Sequence, residues 1–119
     1  MDIEIEESAG VTVVRLDGEI NSGTAETVEE SLLKLIGPGC KILLDMSGVT
    51  YISSVGLRAL LLLYRQTSHE EGYIVLCGLT EMVYDTMFIT GFLEFFETYE
   101  TCGEGMKQLL GNNQQKTET

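Results

Sequence analysis

A chain of 119 residues holds one compact domain with its own core and leaves little room for a second. Nineteen acidic against seven basic residues give a formal charge of −12, which repels nucleic-acid phosphates and anionic lipid, while an apolar content of 44% spread along the length argues for a globular core and against disorder. No apolar run reaches the roughly 18–20 residues of a membrane span, and Met1-Asp2-Ile3-Glu4 lacks the basic start of a secretory leader, so the expected compartment is the cytoplasm and the expected partner is another protein.

In chain order, Ile3 and Ile5 precede the alternating run Val11-Thr-Val-Val-Arg-Leu16 across Ser8-Ala9-Gly10, which predicts an opening hairpin. From Thr24 to Ile36 the residues Ala25, Val28, Leu32, Leu35 and Ile36 fall at helical spacing, and Gly37-Pro38-Gly39 stops that helix because proline cannot donate the next backbone bond. Lys41-Ile-Leu-Leu-Asp45 is a short apolar run predicting a strand buried on both faces of a parallel sheet, followed by a break at Ser47-Gly48. Between Val55 and Glu70 the residues Leu57, Leu60, Leu61 and Tyr64 form a core stripe, with Arg58, Arg65 and His69 on an outer face.

Tyr73-Ile-Val-Leu-Cys77 predicts a second apolar strand, and Gly78-Leu79-Thr80 leads into a helix that carries Met82, Val83, Met87 and Phe88 and closes at Gly91. These four side chains are expected in the core rather than at an interface. Phe95 and Phe96 begin a last strand, and Met106, Leu109 and Leu110 fall at helical spacing behind Gly103 and Gly105. The polar residues 111–119 are expected to lack order, leaving a domain over 1–110. Cys40, Cys77 and Cys102 are odd in number and far apart, so reduced, buried thiols are expected, and His69 has no second histidine with which to hold a metal. A strand pair followed by alternating helices and strands defines an α/β sandwich, with a mixed, mainly parallel sheet of about four or five strands and about four helices.

The most informative stretch is Asp45-Met-Ser-Gly-Val-Thr-Tyr-Ile-Ser-Ser-Val-Gly-Leu-Arg58, which sets two adjacent hydroxyls where a strand's exit loop meets the start of an apolar helix. One of them can cap the helix by accepting from its unpaired N–H groups; the other projects outward, within reach of a modifying enzyme. The segment resembles the STAS family, the sulfate transporter and anti-sigma factor antagonist domain, through Asp45, Ser47, Gly48, Val49, Tyr51, Ile52, Ser53, Ser54, Val55, Gly56 and Leu57. Leu16-Asp-Gly-Glu-Ile20 ahead of the first helix and the order of elements from about residue 3 to about residue 110 agree as well.

That resemblance implies a partner-switching protein. The unmodified chain would bind an anti-sigma factor that is also a serine kinase, of the histidine-kinase-like ATPase fold. Phosphorylation on Ser54 would release it, and a metal-dependent serine phosphatase would reset the cycle. Neither cofactor nor metal is implied for the chain itself, since ATP and metal belong to the partners, and no catalytic residue is implied. Family members often have Asp immediately before the modified serine, where this chain has Ser53; Ser54 is favoured because it stands two residues before Gly56, and Ser53 is the second choice. The implied partner surface comprises Asn21, Ser53, Ser54, Val55, Gly56, Leu57, Arg58 and Met87. Two other functions compete: a small-ligand or nucleotide sensor with its pocket near the helix starts at Ser54 and Thr80, and a serine hydrolase, for which no histidine base lies near the serines.

Overall fold

In the computed structural model, which describes residues 1–118 and side chains through 111, strands β1 (Asp2–Ser8), β2 (Val11–Ile20), β3 (Lys41–Ile52), β4 (Tyr73–Cys77) and β5 (Glu97–Tyr99) form one sheet in sequence order. Only β1 runs antiparallel to its neighbour. Helices α1 (Ala25–Leu33), α2 (Ser54–His69) and α3 (Glu81–Thr90) are the crossovers between the parallel strands, and α4 (Cys102–Glu118) follows β5. The expected fold class is the one observed: a mixed sheet opening with a hairpin, layered between helices. Of the polar tail expected over 111–119, residues 112–119 lie outside those whose side chains are described.

Alternation along the two central strands explains both layers. Ile42 and Leu44 of β3 and Ile74 and Leu76 of β4 point into a core shared with Val28, Leu32, Leu60, Leu63 and Val83 of α1–α3. Leu43, Val75 and Cys77 point the other way, onto Leu109 of α4. An apolar run with no polar alternation is what a strand covered on both faces requires.

Six local expectations are corrected by the structure. Ser47-Gly48 does not break β3. The strand runs on to Ile52, and between Asp45 and Tyr51 its pairing with β2 slips twice, so that β3 carries one extra residue each time. Gly48 permits this, since a Cβ there would lie 2.9 Å from the Leu16 carbonyl oxygen. The first helix ends at Leu33, with Leu35 and Ile36 in the turn behind it. In α2 the buried stripe is Leu57, Leu60, Leu63 and Thr67, whereas Leu61 is only half-buried. Phe95 closes a 3₁₀ turn over Phe92–Phe95 and β5 begins after Phe96, while Gly103 and Gly105 lie inside α4 rather than ahead of it. Finally, only Val83 and Met87 of α3 are core residues; Met82 and Phe88 are 58% and 68% exposed.

The hairpin turn places both Ala9 (φ 52°) and Gly10 (φ 82°) in the left-handed region, as a two-residue connection that follows the strand twist demands. Gly10 adopts this freely, but Ala9 pays about 1 kcal/mol for its Cβ. Ala9→Asn is therefore expected to stabilise the domain by about 0.5–1 kcal/mol, read as a higher midpoint in urea with an unchanged slope.

Candidate functional site

The end of β3 and the start of α2 form the site. Ser53, still extended at φ −90° and ψ 174°, is the N-cap of α2, and its hydroxyl oxygen accepts from the Gly56 N–H at 3.2 Å. Its own N–H donates to the Ile20 carbonyl at 2.9 Å, tying the helix start to the end of β2. Ser54 is the first helical residue and is exposed. Of the two adjacent hydroxyls, that of Ser53 is engaged in the cap, while Ser54 is exposed.

The remaining expected surface residues divide by burial. Val55 and Arg58 are exposed beside Ser54, and Tyr51 lies exposed at the end of β3. Gly56 and Leu57 are buried and seat the helix on the sheet. Met87, expected on the partner surface, is fully buried beneath α3; the large hydrophobic side chains α3 offers to solvent are Met82, Tyr84, Phe88 and Ile89, the last 79% exposed. Sequence reading missed Ile89 because its neighbours at helical spacing looked like a core stripe. Burial removes Gly56, Leu57 and Met87 from any contact surface and leaves them the task of shaping it.

Asn21 is half-buried and organises the loop into α1. Its carbonyl accepts from Thr24 N–H at 3.1 Å and Ala25 N–H at 2.8 Å, and its side-chain oxygen accepts from Gly23 N–H at 2.9 Å. Thr80 similarly starts α3, accepting from Val83 N–H at 3.4 Å and donating to the Val49 carbonyl at 3.0 Å. The C-terminal stretch of β3 thus anchors the N-termini of both α2 and α3 at one end of the sheet.

Beneath this end, Asp45 is 5% exposed and accepts from Ser47 N–H (3.0 Å), the Ser47 hydroxyl (2.7 Å) and Arg15 Nε (3.1 Å). Burial pushes its carboxyl up, but the two Ser47 bonds and the Arg15 bond outweigh it and hold the group below the usual carboxylate range. Asp45 therefore orders the bulged stretch of β3, as its position at the end of the apolar run suggests. His69 is exposed in the last turn of α2. Among the described residues, no helix is long and apolar enough to cross a membrane.

Comparison with known proteins agrees with this architecture. The STAS domain family model matches residues 2–105, and the chain belongs to that family. Among its relatives is BtrV of Bordetella bronchiseptica, a candidate anti-sigma factor antagonist, 35% identical over 97 residues that cover 81% of this chain and 84% of BtrV. In fold it matches an anti-sigma-factor antagonist (STAS) domain protein of Planctomyces limnophilus, with a TM-score of 0.81, 20% identity and coverage of 92% and 99% of the two chains. It also matches the anti-sigma factor antagonist SpoIIAA in its unphosphorylated form, with a TM-score of 0.73, 16% identity and coverage of 92% and 97%.

Proposed function

We propose that this chain is an anti-sigma factor antagonist that binds an anti-sigma factor with serine kinase activity, of the histidine-kinase-like ATPase fold, and is released when Ser54 is phosphorylated. The observation that carries the reading is the division of labour between the two serines. The Ser53 oxygen is held by the Gly56 N–H, whereas Ser54 is exposed in the first turn of α2, flanked by exposed Val55 and Arg58. A metal-dependent serine phosphatase would reverse the modification, and the cytoplasm is where such a circuit operates. The chain acts by binding, as a regulatory protein and not an enzyme.

The apolar side chains left in water support a protein partner. Met82, Phe88 and Ile89 on α3, with Tyr51 and Val55 beside the serines, are large hydrophobic groups with no intramolecular use for their exposed surface. A partner covering the end of the sheet where α2 and α3 begin would bury apolar area and read the state of Ser54 in one contact. The acidic net charge favours a basic partner surface.

The direct test is phosphopeptide mapping of residues 42–58 after incubation with ATP and lysate of the source organism, with fragmentation that separates Ser53 from Ser54. Phosphate on Ser54, lost in Ser54→Ala, is the expected result. Phosphate on Ser53 alone would move the switch to the capping residue, and its absence under several growth conditions would overturn the proposal.

A further inference from the structure

Strand register assembles a second cluster on the opposite, α4 side of the sheet. Arg15 of β2 pairs with Asp45 of β3, and Asp45 pairs with Cys77 of β4, so the three stand in one row across the sheet. Cys102, the first residue of α4, comes down over that row. One carboxylate oxygen of Asp45 and the sulfurs of Cys77 and Cys102 all lie within 4.8 Å of one another. Both cysteines are free thiols; Asp45 and Cys77 are buried, and Cys102 is half-buried at the mouth of the cluster.

We infer that Asp45, Cys77 and Cys102 form a binding site for one thiophilic divalent cation of the zinc type. Tetrahedral zinc, with bonds of about 2.3 Å to sulfur and about 2.0 Å to oxygen, places its ligand atoms roughly 3.5–3.8 Å apart. The three atoms therefore reach ligand geometry by closing at most about 1–1.3 Å, a shift that small side-chain rotations can supply. Two thiolates and a carboxylate carry three negative charges against the cation's two, and the Arg15 guanidinium, 3.1 Å from Asp45 Oδ2, supplies the balance. Ser47 donates twice to Oδ1, which fixes the plane in which the carboxylate would meet a metal.

The chemistry of the set selects the ligand. Two sulfurs with one oxygen prefer zinc or cadmium to magnesium or calcium, which seek all-oxygen shells. Binding exchanges two thiol protons for the metal, with no change of oxidation state. The fourth position opens beside half-buried Cys102, where water completes the shell.

The test is titration of the reduced full chain with cadmium in the presence of a non-thiol phosphine reductant, followed by displacement with zinc. Expected is uptake of one cadmium per chain with an ultraviolet thiolate-to-cadmium band, unchanged in Cys40→Ser. In Cys102→Ser and Cys77→Ser the affinity should fall by more than the roughly 10–100-fold that loss of an outer hydrogen-bond partner causes. Cys102→Ser, at a half-buried helix start, keeps the test open should Cys77→Ser fail to fold. No band in the wild-type chain, or the same band in a folded Cys102→Ser variant, would overturn the inference.

Discussion

Ser54→Asp is expected to weaken binding to the proposed anti-sigma kinase about a hundredfold while leaving the domain folded, and Ser54→Ala is expected to bind as tightly as the wild type. The two halves of this expectation have separate physical origins. Within the domain, position 54 is the first residue of α2, where unpaired N–H groups and the helix dipole favour a negative group by about 0.3–1 kcal/mol. Aspartate there is expected to leave the melting temperature level with or slightly above that of the wild type. Across the interface, the same charge must be stripped of water against a surface shaped for a neutral hydroxyl.

A penalty of about 3 kcal/mol corresponds to roughly a hundredfold in affinity, since each 1.4 kcal/mol is tenfold. Phosphoserine, with about 1.5–2 charges instead of one, should weaken binding further. Calorimetric or surface-based affinities for wild type, Ser54→Ala, Ser54→Asp and the phosphorylated chain, beside thermal melts of each, separate loss of contact from loss of fold. Equal affinity of Ser54→Asp and wild type would remove Ser54 from the interface. A parallel Ser53→Ala variant should behave differently: it loses a cap worth about 1 kcal/mol and so lowers stability, without placing charge at the interface.

Patterns that depend on local periodicity were legible in the sequence. The apolar runs at 42–44 and 73–77 fit strands covered on both faces, and α2 begins where the paired serines meet the apolar stripe. Features that depend on pairing between distant segments were not. Ser47-Gly48 has the composition of a turn, and only the neighbouring β2 reveals it as the irregular part of a longer strand. The apolar residues of α3 occupy both its faces, so periodicity could not separate buried Met87 from exposed Phe88 and Ile89. Cys77 and Cys102 are far apart in sequence and match no metal-binding spacing; strand register aligns Asp45 with Cys77, and the start of α4 brings Cys102 to them. The two serines are an intermediate case: their place at a helix start was readable, but which hydroxyl is held by the cap required coordinates.

Gly56→Ala is expected to destabilise the domain by about 1–3 kcal/mol, a sign opposite to the one helix propensity gives. In an open helix, replacing glycine by alanine gains about 1 kcal/mol. At Gly56, however, a Cβ would lie 2.7 Å from the Ile20 carbonyl oxygen, 2.8 Å from Ile20 Cγ2 and 2.9 Å from Ile52 Cγ1. The side-chain atoms could rotate aside, but the carbonyl cannot, because it accepts the Ser53 N–H at 2.9 Å. The start of α2 must therefore lift from the end of β2, stretching the bond that anchors Ser53 and the cap bond from Gly56 N–H to the Ser53 hydroxyl. A domain of this length should lose about 3–6 °C in melting temperature per kcal/mol. Gly37→Ala, where a Cβ meets nothing within 4 Å, is the control and should stay within about 0.5 kcal/mol of wild type. Because Ser54 follows the capping residue directly, Gly56→Ala should also slow its phosphorylation under conditions in which the variant remains folded. A melting temperature at or above that of the wild type would mean that the helix start yields to the extra methyl, and that buried Gly56 does not fix where Ser54 is presented.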